Sequence, residues 1–464
     1  MYPRRLPILS LSMVSALLVV TACTEQDPSD DSSATPPATE TAQAGTADLE
    51  ELSIDTPVAE QAQWVLEQLR AGSGPDADVA AGRFSDTFLA HVPAEDVADT
   101  FDSLRSLGTF VIDDYDGTEH QAQIDLTTED GSSWQMHVEL DNDGLIDTLF
   151  VQAASEVPDI SSWEDLDEAL TDTGADFGLY AVRDDDGTWE VIHEHQSAQA
   201  RPIGSIFKLY VLGAVQQSVL GGDLSWDDDV TVTDDVRSLP TGELQDAEPG
   251  TSVSVAEAAE KMISISDNTA TDILIDLVGR ESVEAAVSDM GHDEPALLTP
   301  FITTRELFQL GWSDPELPRA WQGADTDERR RMLEELPGGV LDVDPGGITE
   351  AVWPYGVGWF ASGPDLAAAH HALHDMAADD DSGTVRAIMA VNPGVPVDPD
   401  AWPYAGFKGG GAPGVYALSW LLEDPDGVRH VFVMQLATDE PGALADERRL
   451  AAIAAQGLEL LSDG

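Results

Sequence analysis

The chain of 464 residues contains only three lysines, and two of them stand where a nucleophilic serine would need a base. Lys208 closes Gly204-Ser205-Ile206-Phe207-Lys208, which sets a serine and a lysine three residues apart. Lys408 opens Lys408-Gly409-Gly410-Gly411, and the third lysine, Lys261, lies five residues before Ser266-Asp267-Asn268. Arginine keeps its charge in any pocket, whereas lysine can lose its proton and act as a base. The surviving lysines therefore point to sites where arginine cannot substitute. On the first turn of a helix, positions i and i+3 share a face, so the Lys208 amine is predicted to reach the Ser205 hydroxyl. A serine hydroxyl becomes a competent nucleophile when a neighbouring base takes its proton. Burial and the second cation, Lys408, would lower the pKa of Lys208. The acidic balance of the chain pushes the other way, weakened by salt and distance. In this scheme Ser266 relays a proton to the leaving group, and Asn268 holds both Lys208 and the substrate. The backbone N–H groups of Ser205 and Gly411 form the oxyanion hole, worth roughly 2.7–4 kcal/mol per donor. The candidate catalytic residues are Ser205, Lys208, Ser266 and Lys408, and the candidate substrate-binding residues are Asn268, Gly409, Gly410 and Gly411.

The elements that must position these residues come from both ends of residues 161–464. A helix near 161 leads to a strand at 177–182, a turn at Asp184-Asp185-Asp186-Gly187 and a strand at 189–195, which together read as a hairpin. A helix begins near Ser205, continues through Lys208, Val211 and Val215, and stops at Gly221-Gly222. Two further strands, 415–422 and 428–437, flank Asp424-Pro425-Asp426-Gly427, and an amphipathic helix covers 444–461. Strands and helices from both ends bracketing a helical middle imply one α/β unit. Residues 56–155 read as a separate small α+β domain. Val58, Ala62, Val65, Leu66 and Leu69 have helical spacing, and two more helical segments run over 84–91 and 93–107. Period-two segments follow at 110–115, 120–127, 133–140 and 145–151, separated by turns such as Asp130-Gly131. Helices followed by a curved antiparallel sheet suggest a cone. This domain carries no convincing catalytic set and reads as a spacer, recognition or packing body.

The ordered set Ser205-x-x-Lys208, Ser266-Asp267-Asn268 and Lys408-Gly409-Gly410 resembles the Ser-x-x-Lys, Ser-Asp-Asn and Lys-Thr-Gly motifs of class A serine β-lactamases and penicillin-binding proteins. The two-domain arrangement is similar to the β-lactamase-like proteins of clavulanic-acid biosynthesis clusters. The resemblance implies an α+β protein overall. A small steroid-isomerase-like (nuclear transport factor 2-like) domain would precede a class A β-lactamase-like domain, built as an antiparallel sheet with a helical subdomain. It further implies an acyl-Ser205 intermediate and no cofactor or metal. Two departures stand out. Gly409 replaces the hydroxyl residue that in relatives helps to bind a substrate carboxylate. The Glu-x-x-Leu-Asn loop, whose glutamate activates the deacylating water in class A enzymes, is missing. Thr303-Thr304-Arg305-Glu306-Leu307 resembles the helix start after that loop; Glu294 is a weak substitute, and Glu306 is expected on the helix itself. The separation of Ser266 from Lys408 implies inserted helices around 315–347. The expected substrate is a β-lactam or small ester. The alternatives are a D,D-peptidase acting on peptidoglycan, and a non-catalytic sensor of β-lactams or wall fragments.

Composition limits the partners. With 21 Lys and Arg against 88 Asp and Glu, the net charge of −67 excludes nucleic acid and anionic lipid as electrostatic partners. Hydrophobic residues make up 42% of the chain, enough for a packed core rather than a disordered polyanion. Two explanations fit so acidic and lysine-poor a chain: adaptation to salt, or a GC-rich genome that encodes arginine in preference to lysine. Arg4, Arg5 and the apolar stretch 6–20 read as an export signal over residues 1–22. It ends in Val20-Thr21-Ala22-Cys23, and the lone cysteine resembles a lipoprotein lipidation site. Lipidated Cys23 would tie the protein to the extracytoplasmic face of a membrane. A polar tether over 23–55, with a coil reach on the order of 30 Å, would follow.

Four remaining features take structural readings. His370 and His374 are spaced like zinc ligands near Asp375, but His371 stands where a metalloprotease has glutamate, so a helix surface is expected. His193, Glu194 and His195 are expected to face solvent. Lys261 belongs to the helix before Ser266. Trp353, Tyr355, Trp359 and Phe360 are assigned to aromatic core packing, with a pocket rim as the alternative.

Overall fold

The computed structural model describes residues 56–462 apart from 118, 119, 142, 143, 154–156, 186, 187 and 381. The signal assigned to 1–22, Cys23 and the tether over 23–55 lie outside the described residues. The chain divides into two compact units, 1–155 and 156–464. Among the described residues no helix is long and apolar enough to cross a membrane.

The N-terminal unit contains α1 (Pro57–Arg70), α2 (Ala77–Ala80), α3 (Asp86–His91) and α4 (Val97–Arg105). Four strands follow, β1 (Phe110–Gly117), β2 (Gln121–Thr128), β3 (Ser133–Leu140) and β4 (Ile146–Ala153). Thr56 caps α1 by accepting from the Ala59 N–H at 3.3 Å, and Pro57 occupies the first turn, where its missing N–H costs nothing. The spaced apolar residues of α1 all face inward. The third helix starts at Asp86 rather than 84, because Phe84 bridges to Ile146 and joins the core while Ser85 supplies the cap. The fourth is shorter than predicted, because Pro93 to Asp96 close a turn instead. The strands form an antiparallel meander in the order β1-β2-β3-β4, and β2 buries every second residue.

The C-terminal unit opens with α5 (Trp163–Thr171), β5 (Asp176–Asp185), β6 (Thr188–His195) and the short β7 (Arg201–Pro202). Its helical middle holds α6 (Lys208–Gly221), the two-stranded pair β8 (Asp229–Thr231) and β9 (Ser252–Ser254), then α7 (Val255–Ser264), α8 (Asn268–Val278) and α9 (Arg280–Asp289). Next come α10 (Thr304–Trp312), α11 (Leu317–Gly323) and α12 (Thr326–Glu335), the last two within 315–347. The chain closes with β10 (Phe360–Ala361), α13 (Gly363–Ala378), α14 (Thr384–Ala390), β11 (Tyr404–Ala412), β12 (Val415–Glu423), β13 (Arg429–Ala437) and α15 (Glu447–Ser462).

A five-stranded antiparallel sheet runs β11-β12-β13-β5-β6, so the last strand of the chain pairs with the first of this unit, Val433 opposite Tyr180. Both faces of the sheet are covered. One core gathers Val431, Val433, Leu209, Leu212 and Leu373 from β13, α6 and α13. The other gathers Phe432, Met434, Leu166, Ile453 and Leu458 from β13, α5 and α15. Burial on both sides is why β13 reads as a nearly unbroken apolar run. The predicted helix at Ser205 begins as a 3-10 turn over Gly204–Phe207, and the α-helix proper starts at Lys208. It is apolar all round, as a helix enclosed by others must be, and Gly222 ends it in the left-handed region at φ 77°.

Candidate active site

Ser205 is the second residue of the 3-10 turn that leads into α6, so its N–H has no acceptor within the turn. That turn lies against β11. A Cβ on Gly410 would come 2.0 Å from the Ile203 carbonyl oxygen and 2.7 Å from the Ser205 nitrogen. A Cβ on Gly204, at φ 48°, would come 2.7 Å from the Gly411 nitrogen. Only glycine on both sides permits two backbones to meet this closely. The approach packs the turn that carries Ser205 against Gly410 and Gly411, the stretch that with the Ser205 N–H is expected to form the oxyanion hole. Because β11 is an edge strand, its outer backbone groups are not committed to another strand of the sheet. Ser205, Ser266, Asn268, Gly409, Gly410 and Gly411 all line one cavity of about 580 Å³.

Behind Ser205, Lys208 is fully buried. Its amine donates to the Ser266 carbonyl at 2.5 Å and to Asn268 Oδ1 at 2.8 Å, and it lies 3.0 Å from Ser266 Oγ. None of its hydrogen bonds goes to Ser205. Ser266 presents both its carbonyl and its hydroxyl because it adopts the left-handed conformation at φ 60°, in the turn between α7 and α8. A non-glycine residue in that region is uncommon and marks a position that its surroundings hold in place. Asp267, completely buried, holds the turn. Its carboxylate accepts from the N–H groups of Glu243, Leu244 and Ala270 at 2.7, 2.9 and 2.8 Å, and so caps α8. Lys408 reaches the same hydroxyl from the sheet, with Nζ 3.1 Å from Ser266 Oγ and 2.9 Å from the Gly409 carbonyl.

Burial dominates the electrostatics. It drives the Lys208 pKa well below the ordinary lysine value, and the Lys408 charge adds to that, against the opposing pull of Asp267 and Asp272. Burial also lowers Lys408 to about 7. A neutral Lys208 can donate to the Ser266 carbonyl and Asn268 while its lone pair accepts the Ser266 O–H. Ser266 Oγ can then accept from protonated Lys408. The arrangement is a proton path from one amine to the other through a single hydroxyl, open to the cavity beside Ser205.

The other sequence readings divide. Asn268 also donates from Nδ2 to the Leu239 carbonyl at 3.1 Å, which fixes the amide that receives Lys208. Lys261 pairs with Glu243 at 2.6 Å instead of entering the cavity. Glu306 completes the cap of α10 and pairs with Arg280 at 2.7 Å, while Glu294 is exposed and outside the cavity lining. The expectation of a helix surface for His370 and His374 is corrected: both are buried, because α13 packs against the sheet. His370 Nε2 lies 3.0 Å from Ser419 Oγ, which donates to the Lys408 carbonyl at 3.0 Å, and His374 meets the Tyr404 hydroxyl at 2.8 Å. Among the described residues no group of three or more His, Cys, Asp or Glu is placed to hold a metal. His193 and His195 are also not plain solvent-facing residues, since they stack on Trp163 and Phe177 at 4.9 and 4.2 Å. Trp353 and Trp359 line the cavity, so core packing accounts for only part of the aromatic cluster.

Position 409 receives a physical explanation. A Cβ there would come 2.9 Å from Phe407 Cζ, and that ring is packed on Trp420 at 4.8 Å. The space a side chain would need is already filled. Sequence reading missed Phe308 and Trp312 in the apolar wall and Glu447 at the rim. None of these lies in a motif, and only the folded arrangement brings them to the serine.

Residues 161–315 match the family model of the β-lactamase enzyme family, and residues 54–146 match that of the ORF 12 gene product N-terminal region. No curated protein matches the chain. Similar solved structures include a β-lactamase from Sphaerobacter thermophilus, at 19% identity over 66% of this chain and 99% of that one, with a TM-score of 0.45. PBP-A is similar at 19% identity over 65% and 99%, with a TM-score of 0.42. A β-lactamase from Chitinophaga pinensis is similar at 17% identity over 65% and 97%, with a TM-score of 0.45. The matched segment 161–315 contains Ser205, Lys208, Ser266 and Asn268 and supports the β-lactamase-like serine hydrolase superfamily for the C-terminal unit.

Proposed function

We propose that the protein is an acyl hydrolase that works through an acyl-Ser205 intermediate on a β-lactam or small ester. The observation that carries the reading is the Ser266 hydroxyl held 3.0 Å from Lys208 and 3.1 Å from Lys408, in the cavity that contains Ser205. To take the Ser205 proton, neutral Lys208 gives up one of its present partners. Ser205 Oγ then bonds to the substrate carbonyl carbon, and the developing oxyanion is met by the N–H groups of Ser205 and Gly411. The carbon–oxygen or carbon–nitrogen bond breaks as Ser266 passes a proton to the leaving group and is resupplied by the lysines. Water cleaves the acyl-serine to release the acid and restore the hydroxyl.

The test is mass spectrometry of the full chain after incubation with 4-nitrophenyl hexanoate and with benzylpenicillin. A mass increase on Ser205, and ester turnover lost in Ser205→Ala, are expected. Turnover that persists in Ser205→Ala would contradict the mechanism. A second reading, a D,D-peptidase or a β-lactam sensor, is favoured by one observation: Glu294, between α9 and α10, and Glu306, in the first turn of α10, do not line the cavity. An adduct stable for hours without turnover supports that reading. The proposal extends to location and domain architecture. Export over residues 1–22 and lipidation at Cys23 would hold the protein on the extracytoplasmic face of a membrane, tested by fatty-acid labelling lost in Cys23→Ala. Helices packed on a four-stranded meander support a steroid-isomerase-like reading of the N-terminal unit.

A further inference from the structure

The cavity wall combines apolar side chains with a single ionisable one. Leu307, Phe308, Trp312, Ile348, Val352 and Trp353 line it from α10 and the segment that follows, and among the described residues no lysine, arginine or histidine does. Lys408, adjacent to the lining residue Gly409, is buried and committed to Ser266 and the Gly409 carbonyl. The one ionisable side chain in the lining is Glu447, the first residue of α15. The Tyr416 hydroxyl donates to the Glu447 carbonyl at 3.3 Å, which fixes the start of α15 against β12, where Tyr416 is the register partner of Gly411. Arg448 and Arg449 follow on the same helix but do not line the cavity.

We propose that this cavity takes acyl substrates whose side chain is apolar and either uncharged or cationic, and that Glu447 is a specificity-determining residue that turns away carboxylate-bearing ones. The inference rests on the acyl-Ser205 reading and names its substrate class. Three independent features agree. The wall offers apolar burial and no cation to receive a carboxylate. The space beside Gly409, where a hydroxyl residue would stand, is filled by Phe407. A carboxylate at the rim repels an anion and attracts a cation, and the low-dielectric wall strengthens both effects. Glu447 is exposed at the rim, and partial desolvation raises its pKa above the usual carboxylate value. The chain's net charge of −67 disfavours anions at longer range in the same sense.

A matched set of substrates tests this with the full chain: the 4-nitrophenyl esters of hexanoic acid, 6-aminohexanoic acid and adipic acid (as the monoester). They share a reacting carbonyl and present a neutral, a cationic and an anionic chain. The neutral and cationic esters are expected to exceed the anionic one in kcat/KM by at least tenfold. Glu447→Gln should raise the anionic-to-neutral ratio about tenfold and lower the cationic-to-neutral ratio. An anionic-to-neutral ratio unchanged in the variant overturns the proposal. So does a uniform loss for all three esters with acyl-Ser205 accumulating, which would make Glu447 a base for deacylation. Failure of the underlying reading looks different: no ester labels Ser205 in the wild type, or turnover survives in Ser205→Ala.

Discussion

In the N-terminal unit the buried polar residues among those described are Ser85, Thr128 and Asp147, whereas the C-terminal unit buries Lys208, Lys408, Asp267, Asp272, His370 and His374. The first unit spends its interior on a single apolar core, with one buried hydrogen bond from Ser85 to Asp147 at 2.5 Å. The second has apolar cores on both faces of its sheet, large enough to enclose a charged network near one sheet edge. Removing an amine from water costs several kcal/mol unless it is paired or gives up its proton. Lys208 and Lys408 are both hydrogen-bonded, and burial lowers the pKa of each toward loss of its proton. The contrast separates a unit built for packing from one that keeps buried amines where chemistry can use them.

The largest expected effect is at the heart of that contrast. Lys208→Ala should cost on the order of 10³-fold in ester turnover, as loss of a positioned base does, and Lys208→Arg should not restore it. Stopped assays with 4-nitrophenyl hexanoate check this, and a variant retaining more than a tenth of wild-type kcat would break the role assigned to the amine. Gly410→Ala comes next. Its methyl would meet the Ile203 carbonyl and the Ser205 nitrogen, so the turn and β11 must separate. A stability loss of about 1–3 kcal/mol by denaturant titration is expected, together with a fall of about 10²-fold in turnover from the displaced oxyanion donors.

The third expectation concerns pH. Lys408 has a pKa of about 7 in the folded protein, below that of a lysine in the unfolded chain. Between these values the unfolded state binds more protons, so stability from this group rises as pH increases from about 7 toward 10. Lys208 acts in the same direction. The thermal midpoint should therefore climb between pH 7 and 9, and Lys408→Met should flatten the slope by about one proton. An unchanged slope in that variant would mean that Lys408 is charged when folded. The smallest effect belongs to the other unit. Asp147→Ala leaves the Ser85 hydroxyl without its buried acceptor and should destabilise the N-terminal unit by about 1–3 kcal/mol. Calorimetry reads this shift, and ester turnover below the transition is expected to stay at the wild-type level.

Much of the secondary structure was legible because its causes are local. Alternation marks β2, a helical stripe marks α1, and the cap at Thr56 marks where α1 begins. Errors at α3 and α4 came from residues taken up elsewhere, Phe84 by a bridge and Pro93 by a turn. The motif residues were legible by type and order. Their hydrogen bonding was legible only in part: Lys208 donates to Asn268, the contact read from the motif, but its other bonds go to Ser266, 58 residues away in the chain, rather than to Ser205. His370 and His374 looked like surface residues because α13 is apolar on most sides and its sequence does not say which side meets the sheet.

By itself, the sequence determined the nucleophile candidate, the two lysines of the motifs and the run of glycines that follows the second. Those depend on residue type and short spacing. Tertiary structure alone decided that both amines are desolvated, that Phe407 fills the space beside Gly409, and that Glu447 joins the rim of the cavity. The physical reason is that pKa, cavity shape and substrate charge preference depend on neighbours within a few ångströms, and here those neighbours are drawn from positions 202 to 447 of the chain.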